Sequence, residues 1–411
     1  MNKRRGYATL AALTTAVALV CGAIYLGVGA AQGGTAARTP VAAPAVWVGT
    51  WAAAPAKASP AVGGHVGRSV RNVVHTSIGG TAARITLSNL LGEQPLKIAQ
   101  VSLAVRAGHG PAAVAGTLRR VTFQGAGAVT LAVGGQRVSD PVVLGIPYDG
   151  DLLVTVATTS PGGPVTVHPQ ARQTSYIADG DRTQDAGGDA YTRRTGAWQH
   201  LSGVDVLTRD TNGAVVAIGD SITDGVTSTS DANRRWPDVL ADRLNRHGRY
   251  HYGVLNQGIS GNRLLTDGRG PSTLARFDRD VLARSGVRTV IVAIGINDLL
   301  RGPDPSADRL TAGYAELTRR AHARGLRVVG ATLMPCAGHR HCTRALEAVR
   351  DKVNAAIRTG RIFDSVVDFD RALRDPYAPD RLRPAYDSGD HLHPSDAGYA
   401  RMGRAVDPAR L

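Results

Sequence analysis

Cysteine is nearly missing from this 411-residue chain: Cys21, Cys336 and Cys342 are all it has. Three cysteines cannot staple a chain of this size, so a disulfide-framed miniprotein is excluded and folding must rest on buried apolar surface. Lysine and glutamate are almost as scarce. Lys3, Lys57, Lys97 and Lys352 are four of 48 basic residues, and Glu93, Glu316 and Glu347 are three of 33 acidic ones. The formal net charge of +15 is therefore arginine, scattered without a run of five or six like charges. Such a surface attracts anionic polymers or lipid through its field. No zinc finger, basic helix or aromatic platform turns that attraction into recognition, so nucleic-acid binding is not expected. Glycine (49) and proline (21) follow no period, which excludes a collagen-like chain, and a hydrophobic content of 43% excludes a wholly disordered one. What remains is a globular protein long enough for two domains of ordinary size.

The N-terminus carries the most sustained apolar stretch. MNKRRG is basic, and Tyr7 to Ala31 is apolar apart from a few threonines. A positive start, an apolar stretch and small residues at its end, with cleavage sites at Val28–Ala30 or Thr35–Ala37, read as an export signal over residues 1–30. The same 7–31 stretch is long enough to stay uncleaved as an anchor at the outer face of the membrane. Cys21 follows Val20, where a lipidation site wants a small residue, so a lipoprotein is not read. Residues 31–46 form a flexible leader on either reading, and the folded part is expected outside the cytoplasm, secreted or anchored. Export permits a disulfide between Cys336 and Cys342 in PCAGHRHC. The rival is a metal site of Cys336, His339, His341 and Cys342, but that spacing is cramped for four tetrahedral ligands and no second cluster accompanies it.

Two rhythms follow. From residue 47 to 207, short runs such as ARITLSNL, LKIAQVSLAV, AVTLAVGG and DLLVTVATT alternate with period two between glycine turns. They predict half-buried strands in a β-sandwich of jelly-roll type, an accessory domain that is either a structural partner or a sugar- or surface-binding module. From 208 to 411, continuous apolar runs (AVVAIGD, YGVLNQGI, TVIVAIGIND, LRVVGATLMP) alternate with helical spacings (RRWPDVLADRLNRHG, STLARFDRDVLARSG over 272–286, ADRLTAGYAELTRRAHARG, ALEAVRDKVNAAIRTG), and a short strand RIFDSVVDFD (361–370) follows the last. That pattern predicts a parallel sheet covered by helices on both faces, with ligands bound beyond the carboxyl ends of the strands.

Four segments fall at those ends: GDSITDG (219–225), NQGISGN (256–262), GIND (295–298) and SGDHLHP (388–394). A serine hydroxyl needs a base, and the base needs an orienter. Ser221 with His393 and Asp390, three residues apart, supplies such a set. His391, two residues away, competes for the role of base. An acyl-transfer site also needs donors for an oxyanion, and the N–H groups of Ser221 and Gly261 with the amide of Asn297 are the candidates. Asp220 and Asp298 are supporting residues, Asp298 by accepting backbone hydrogen bonds that tie loops together. Each segment has a bland counterpart, a Gly-Asp-Ser turn or a helix cap, and it is the order and strand-end placement of all four that carries the joint reading.

These four segments resemble the blocks of the SGNH, or GDSL-type, serine esterases and lipases. GDSITDG places Ser221 as nucleophile and first oxyanion donor, ISGN places Gly261 as second donor, GIND places Asn297 as third, and DHLHP places Asp390 and His393 as the rest of a triad. The first block reads GDSIT where the family name expects GDSL. The resemblance implies a flavodoxin-like three-layer α/β/α fold, a covalent acyl-serine intermediate, and no metal or other cofactor. WVGTWAAAP (47–55) and ARITLSNLLGEQPL (83–96) resemble the β-rich domain attached to some secreted actinobacterial members. The expected substrate is an acyl ester of a lipid or a carbohydrate. Transfer of the acyl group to an alcohol, and a binding protein with a vestigial site, are the alternatives. Trp198, Trp236, Leu264 and Leu265 are read as core or loop packing ahead of pocket lining. The basic surface and the N-terminus are the expected points of any membrane contact, and the oligomeric state is left open.

Overall fold

Near Asn212 the rule by which apolar residues are spaced changes, and the architecture changes with it. The computed structural model describes residues 44–57, 66–159, 163–246 and 250–411, of which those from Ala45 on form one compact unit. The export signal, its alternative as an anchor and nearly all of the leader lie outside the described residues. Among the described residues no helix is long and apolar enough to cross a membrane.

Upstream, the strands pair antiparallel. One sheet runs Val46–Ala52, Leu201–Thr208, Gly80–Ser88, with Gln136–Val138 and Val142–Ile146 both paired to Gly80–Ser88. A second runs Arg193–Thr195, Ser175–Asp179, Arg68–Thr76, Gly150–Thr158, Leu96–Val105 and Arg119–Val121, with Val129–Leu131 also paired to Leu96–Val105. Three short strands, Trp198–Gln199, Thr166–His168 and Ala56–Lys57, make a third. The period of two decides which side chain goes where. On Gly150–Thr158, Leu152, Val154 and Val156 enter the core shared with Ile85 and Leu87 of the first sheet, whereas Leu153 packs on the other face with Val73 and Tyr176.

Downstream, five parallel strands stand in the order Tyr252–Gly258, Gly213–Gly219, Val287–Ala293, Arg327–Ala331, Ser365–Val367. In chain numbering that is 2-1-3-4-5, the flavodoxin-like order. Val215 and Ala217 face one side of the sheet and meet Trp236 and Leu240 of helix Trp236–Asn245 and Tyr399 and Met402 of helix Asp396–Ala405. Val216 and Ile218 face the other and meet Leu310, Tyr314 and Leu317 of helix Ala307–His322 and Val353 and Ile357 of helix Arg344–Arg358. Each fully buried aliphatic of this kind stabilises the fold by about 1.5–3 kcal/mol. The helices are bounded as their sequences dictate. The Ser306 hydroxyl accepts the N–H of Arg309, Thr343 accepts that of Leu346, and Arg319, Arg320 and His322 occupy the last turn of Ala307–His322, where positive charge suits the helix dipole. The expected α/β/α layers and the β-rich antiparallel region before them are both present.

The two regions meet closely. Gly49 N–H donates to the Ser285 carbonyl (3.0 Å), Val254 N–H to the Ser77 hydroxyl (2.9 Å), and Arg235 to the Ala171 carbonyl (3.0 Å). One apolar cluster runs through both, from Val48 and Val74 to Val216 and Leu255. Trp236 stacks edge-on with Phe369 and Trp198 with Trp51; both tryptophans and Leu264 are buried core, and Leu265 is partly buried against the same core.

Candidate active site

The strand Gly213–Gly219 is buried along its whole length and delivers the chain to the carboxyl edge of the sheet. Asp220 leaves helical geometry there and caps the four-residue helix Ser221–Asp224, its carboxylate accepting the Ile222 N–H (3.0 Å). Ser221 is thus the first residue of that helix and is only 7% exposed. Burial pushes the Asp220 carboxyl up to about 7, with the charges of Asp298 and Asp224 adding to the effect.

The loop before helix Asp396–Ala405 brings the other two candidates to the serine. The Asp390 Oδ1 accepts the N–H groups of Leu392 (3.0 Å) and His393 (2.8 Å), which fixes the carboxylate on its own loop. Its Oδ2 lies 2.5 Å from His393 Nδ1, and His393 Nε2 lies 2.8 Å from Ser221 Oγ. Partial burial pushes the Asp390 carboxyl up, but the hydrogen bonds and charge of His393 outweigh it and hold it below the ordinary carboxylate value. With Nδ1–H given to the carboxylate, Nε2 is left to accept the serine proton. His391 is turned elsewhere. It adopts a left-handed backbone (φ 64°), its Nδ1 lies 2.7 Å from Asp387 Oδ2, and its ring lies against Gly338.

Beyond the strand Tyr252–Gly258 the chain turns at Gly261, whose φ of +78° is open to glycine at little cost. A β-carbon there would also stand 3.2 Å from the Arg269 side chain. Among the described residues the N–H groups of Ser221 and Gly261 donate to no acceptor of the chain. Asn297 is the second residue of helix Ile296–Arg301 and is 4% exposed, its amide donating to the Asn262 carbonyl (3.1 Å). Asp298 accepts the N–H groups of Leu264 (2.8 Å) and Leu265 (3.0 Å) and so binds the 261–265 loop to that helix; burial raises its carboxyl.

Several organising residues were not singled out from sequence. Fully buried Arg276 donates to the carbonyls of Gly219 (3.0 Å) and Gln257 (2.8 Å), to Asn262 Oδ1 (3.1 Å) and to Asp280 (3.0 Å), clamping two strand ends and the loop. Asp224 accepts both the N–H and the hydroxyl of Ser260, and its other oxygen meets His168 of the β-rich region. The second aspartate of GDSITDG was the available signal for Asp224. For Arg276 and His168 no local pattern exists.

Cys336 and Cys342 are joined by a disulfide, so neither is a thiolate and the four-ligand metal reading fails. The loop they close is pinned to helix Arg344–Arg358 by Glu347, which accepts the Cys336 N–H (2.7 Å), and to the 380 region by Ala337 N–H on the Asp380 carbonyl (3.0 Å). Its Gly338 lies against the His391 ring. Partial burial lowers the His339 imidazole pKa, Asp390 pulls it up, and the charges of His341, His393 and Arg301 push it down again.

The fold and this cluster of strand-end side chains define a three-layer α/β/α domain that sets a serine, a histidine and an aspartate together at the carboxyl edge of its sheet. Residues 217–401 match the profile of the GDSL-like Lipase/Acylhydrolase family, so this part of the chain is a GDSL-like, or SGNH-type, hydrolase domain. No curated protein matches the chain. Among solved structures, a protein described as lipolytic and of the G-D-S-L family from Desulfitobacterium hafniense is 24% identical, over 47% of this chain and 97% of its own, with a TM-score of 0.38. A GDSL-like lipase from Bacteroides thetaiotaomicron is 20% identical (48% and 87% covered, TM-score 0.35). The acetylxylan esterase Axe2 from Geobacillus stearothermophilus is 22% identical (47% and 92%, TM-score 0.37). None of these likenesses bears on the substrate of this chain.

Proposed function

We propose that this hydrolase cleaves carboxylic esters through an acyl-serine intermediate on Ser221. One observation carries the reading: Ser221 Oγ, His393 Nε2, His393 Nδ1 and Asp390 Oδ2 lie in sequence at 2.8 and 2.5 Å. His393 takes the serine proton as Oγ attacks the ester carbonyl. The oxyanion that forms is met by the Ser221 and Gly261 N–H groups and the Asn297 amide. His393 then protonates the leaving alcohol, and in the second half it activates water to release the acid and restore the serine. Asp390 keeps the imidazole in the required tautomer and stabilises its transient charge. His393, rather than His391, is the base because His391 is held by Asp387 away from the serine.

Two polar side chains stand near the site, Arg269 beside Gly261 and His339 within the influence of Arg301 and Asp390. This favours an ester with a hydrophilic alcohol, such as an acylated carbohydrate, over a long-chain lipid. A disulfide suits a protein that works outside the cytoplasm. The test is hydrolysis of p-nitrophenyl esters from acetyl to dodecanoyl, and of acetylated sugars, by the wild type and Ser221→Ala. Activity confined to short acyl chains and abolished by Ser221→Ala is expected. A folded Ser221→Ala protein that still hydrolyses them rejects the nucleophile, and preference for eight carbons or more rejects the substrate class.

A further inference from the structure

A second buried carboxylate–histidine pair crosses from the β-rich region into the hydrolase region. His168 ends the strand Thr166–His168, which is paired on one side with Ala56–Lys57 and on the other with Trp198–Gln199. The ring is stacked at a tilt near Trp198 and is 5% exposed. Its Nδ1 lies 3.0 Å from the Ala54 carbonyl and its Nε2 2.8 Å from Asp224 Oδ1. A carbonyl only accepts, so Nδ1 carries a proton; with Asp224 as a carboxylate, Nε2 carries one as well and the ring is an imidazolium. Burial pulls its pKa down, but the charge and hydrogen bond of Asp224 and the Ala54 carbonyl outweigh it and hold it above the ordinary value, against the opposing charge of Arg235.

The other oxygen of Asp224 accepts the N–H (3.0 Å) and hydroxyl (2.5 Å) of Ser260, the residue before Gly261. Asp224 also ends the helix that Ser221 begins, and its backbone nitrogen stands 2.2 Å from where a β-carbon on Gly258 would sit, so helix and loop are in contact at this point. Contacts therefore run from Ala54 through His168 and Asp224 to Ser260, and end next to the Gly261 N–H.

We propose that His168 is a positioning residue for the oxyanion side of the site: its Nε2–H, supplied by the β-rich region, fixes Asp224 and through it the Ser260–Gly261 backbone relative to Ser221. This rests on Ser221 being the nucleophile. It gives the β-rich region a part in turnover that needs no contact with substrate.

Two variants of the full chain separate this from simple packing. His168→Asn keeps a donor toward Ala54 but falls short of Asp224, whereas His168→Gln places an N–H where Nε2 stood. Turnover is read per active site, counted by labelling Ser221 with a fluorophosphonate. For His168→Asn, kcat is expected to fall about 10- to 100-fold with KM within about threefold, less than the roughly 100- to 1,000-fold that follows loss of a whole oxyanion donor. His168→Gln should recover most of it. Ser260→Ala should lower kcat as well and add little to His168→Asn, because the two act through the same carboxylate. A His168→Asn protein with kcat per site within about twofold of wild type overturns the proposal, as do fully additive losses. If the His168 variants do not fold, ¹⁵N spectra of the wild-type imidazole decide at pH 7: two protonated ring nitrogens support the cation, and a neutral tautomer overturns it. Wild-type protein that takes no label and cleaves no ester strikes instead at Ser221, and the ring spectra still report on His168 separately.

Discussion

A carboxyl group sealed next to Ser221 ties the stability of this protein to pH, and Asp220 is that group. Unfolded, it ionises near 3.8; folded, burial pushes it up to about 7. Between those values the folded chain binds a proton that the unfolded chain has released, so stability falls as pH rises through that window, by on the order of 4 kcal/mol in all. Asp220→Asn keeps an oxygen for the Ile222 N–H and removes the titration. Its thermal stability should overtake that of the wild type between pH 5 and pH 8, and parallel melting curves for the two proteins would show that the carboxyl is not titrating. At the same scale, His393→Ala should cut kcat by at least about 1,000-fold, while His391→Ala should stay within about tenfold of wild type; a larger loss at His391 would reverse the assignment of the base. That Ser221, Asp390 and His393 come together was legible because each lies in a segment at a strand end and is marked by its neighbours in sequence. His168 was not. It lies 56 residues from Asp224 in a region with no chemical motif, and a lone histidine on a strand looks the same whether it faces solvent or a buried carboxylate.

Among the elements, the turn at Gly261 and the loop closed by the disulfide carry the sharpest expectations. Gly261→Ala forces a β-carbon onto a φ of +78° and toward Arg269, costing about 1–2 kcal/mol and shifting an N–H assigned to the oxyanion. Lower thermal stability together with a kcat reduced at least tenfold, about 1.4 kcal/mol in the barrier, is the expected result. Opening the Cys336–Cys342 bridge by Cys→Ser at both positions should cost about 2 kcal/mol, since the loop closed is short. Denaturant unfolding of oxidised and substituted proteins checks it. The parallel strands were readable because burial on both faces makes their runs continuously apolar. Where polar side chains intervene, the reading overran. RIFDSVVDFD (361–370) reads as one strand, yet only Ser365–Val367 pairs, because Asp364 accepts the Val328 N–H (2.7 Å) and Asp368 caps the helix Phe369–Leu373. The helical spacing over 272–286 likewise yields an α-helix to Phe277 and then a π-helical turn over Asp278–Leu282, around the buried Asp280 that binds Arg276, Arg279 and Arg284.

For the whole molecule, the shared core matters most. Val48 and Val74 of the β-rich region belong to the apolar cluster that covers Val216 and Leu255 of the parallel sheet. Residues 208–411 expressed alone should therefore lack cooperative unfolding and ester hydrolysis, and adding residues 45–207 as a separate chain should restore part of both. A stable, fully active 208–411 fragment would show the core to be divisible. The change of rhythm near Asn212 was plain in the sequence. How firmly the two regions are joined was not, because pairs such as Ser77 with Val254 and His168 with Asp224 are single contacts between distant segments and leave no periodic trace.

The Ser77 hydroxyl that takes the Val254 N–H has a consequence for behaviour in crowded solution. Tyr252–Gly258 is an outer strand of the parallel sheet, and an uncovered strand of that length is a template on which a neighbouring chain can add. Here the flank is occupied by the molecule's own β-rich region, and the opposite border of the sheet is the three-residue Ser365–Val367. The sheet that carries Ser221 offers little purchase for polymerisation, and it would lose that protection wherever proteolysis stripped the first half of the chain away.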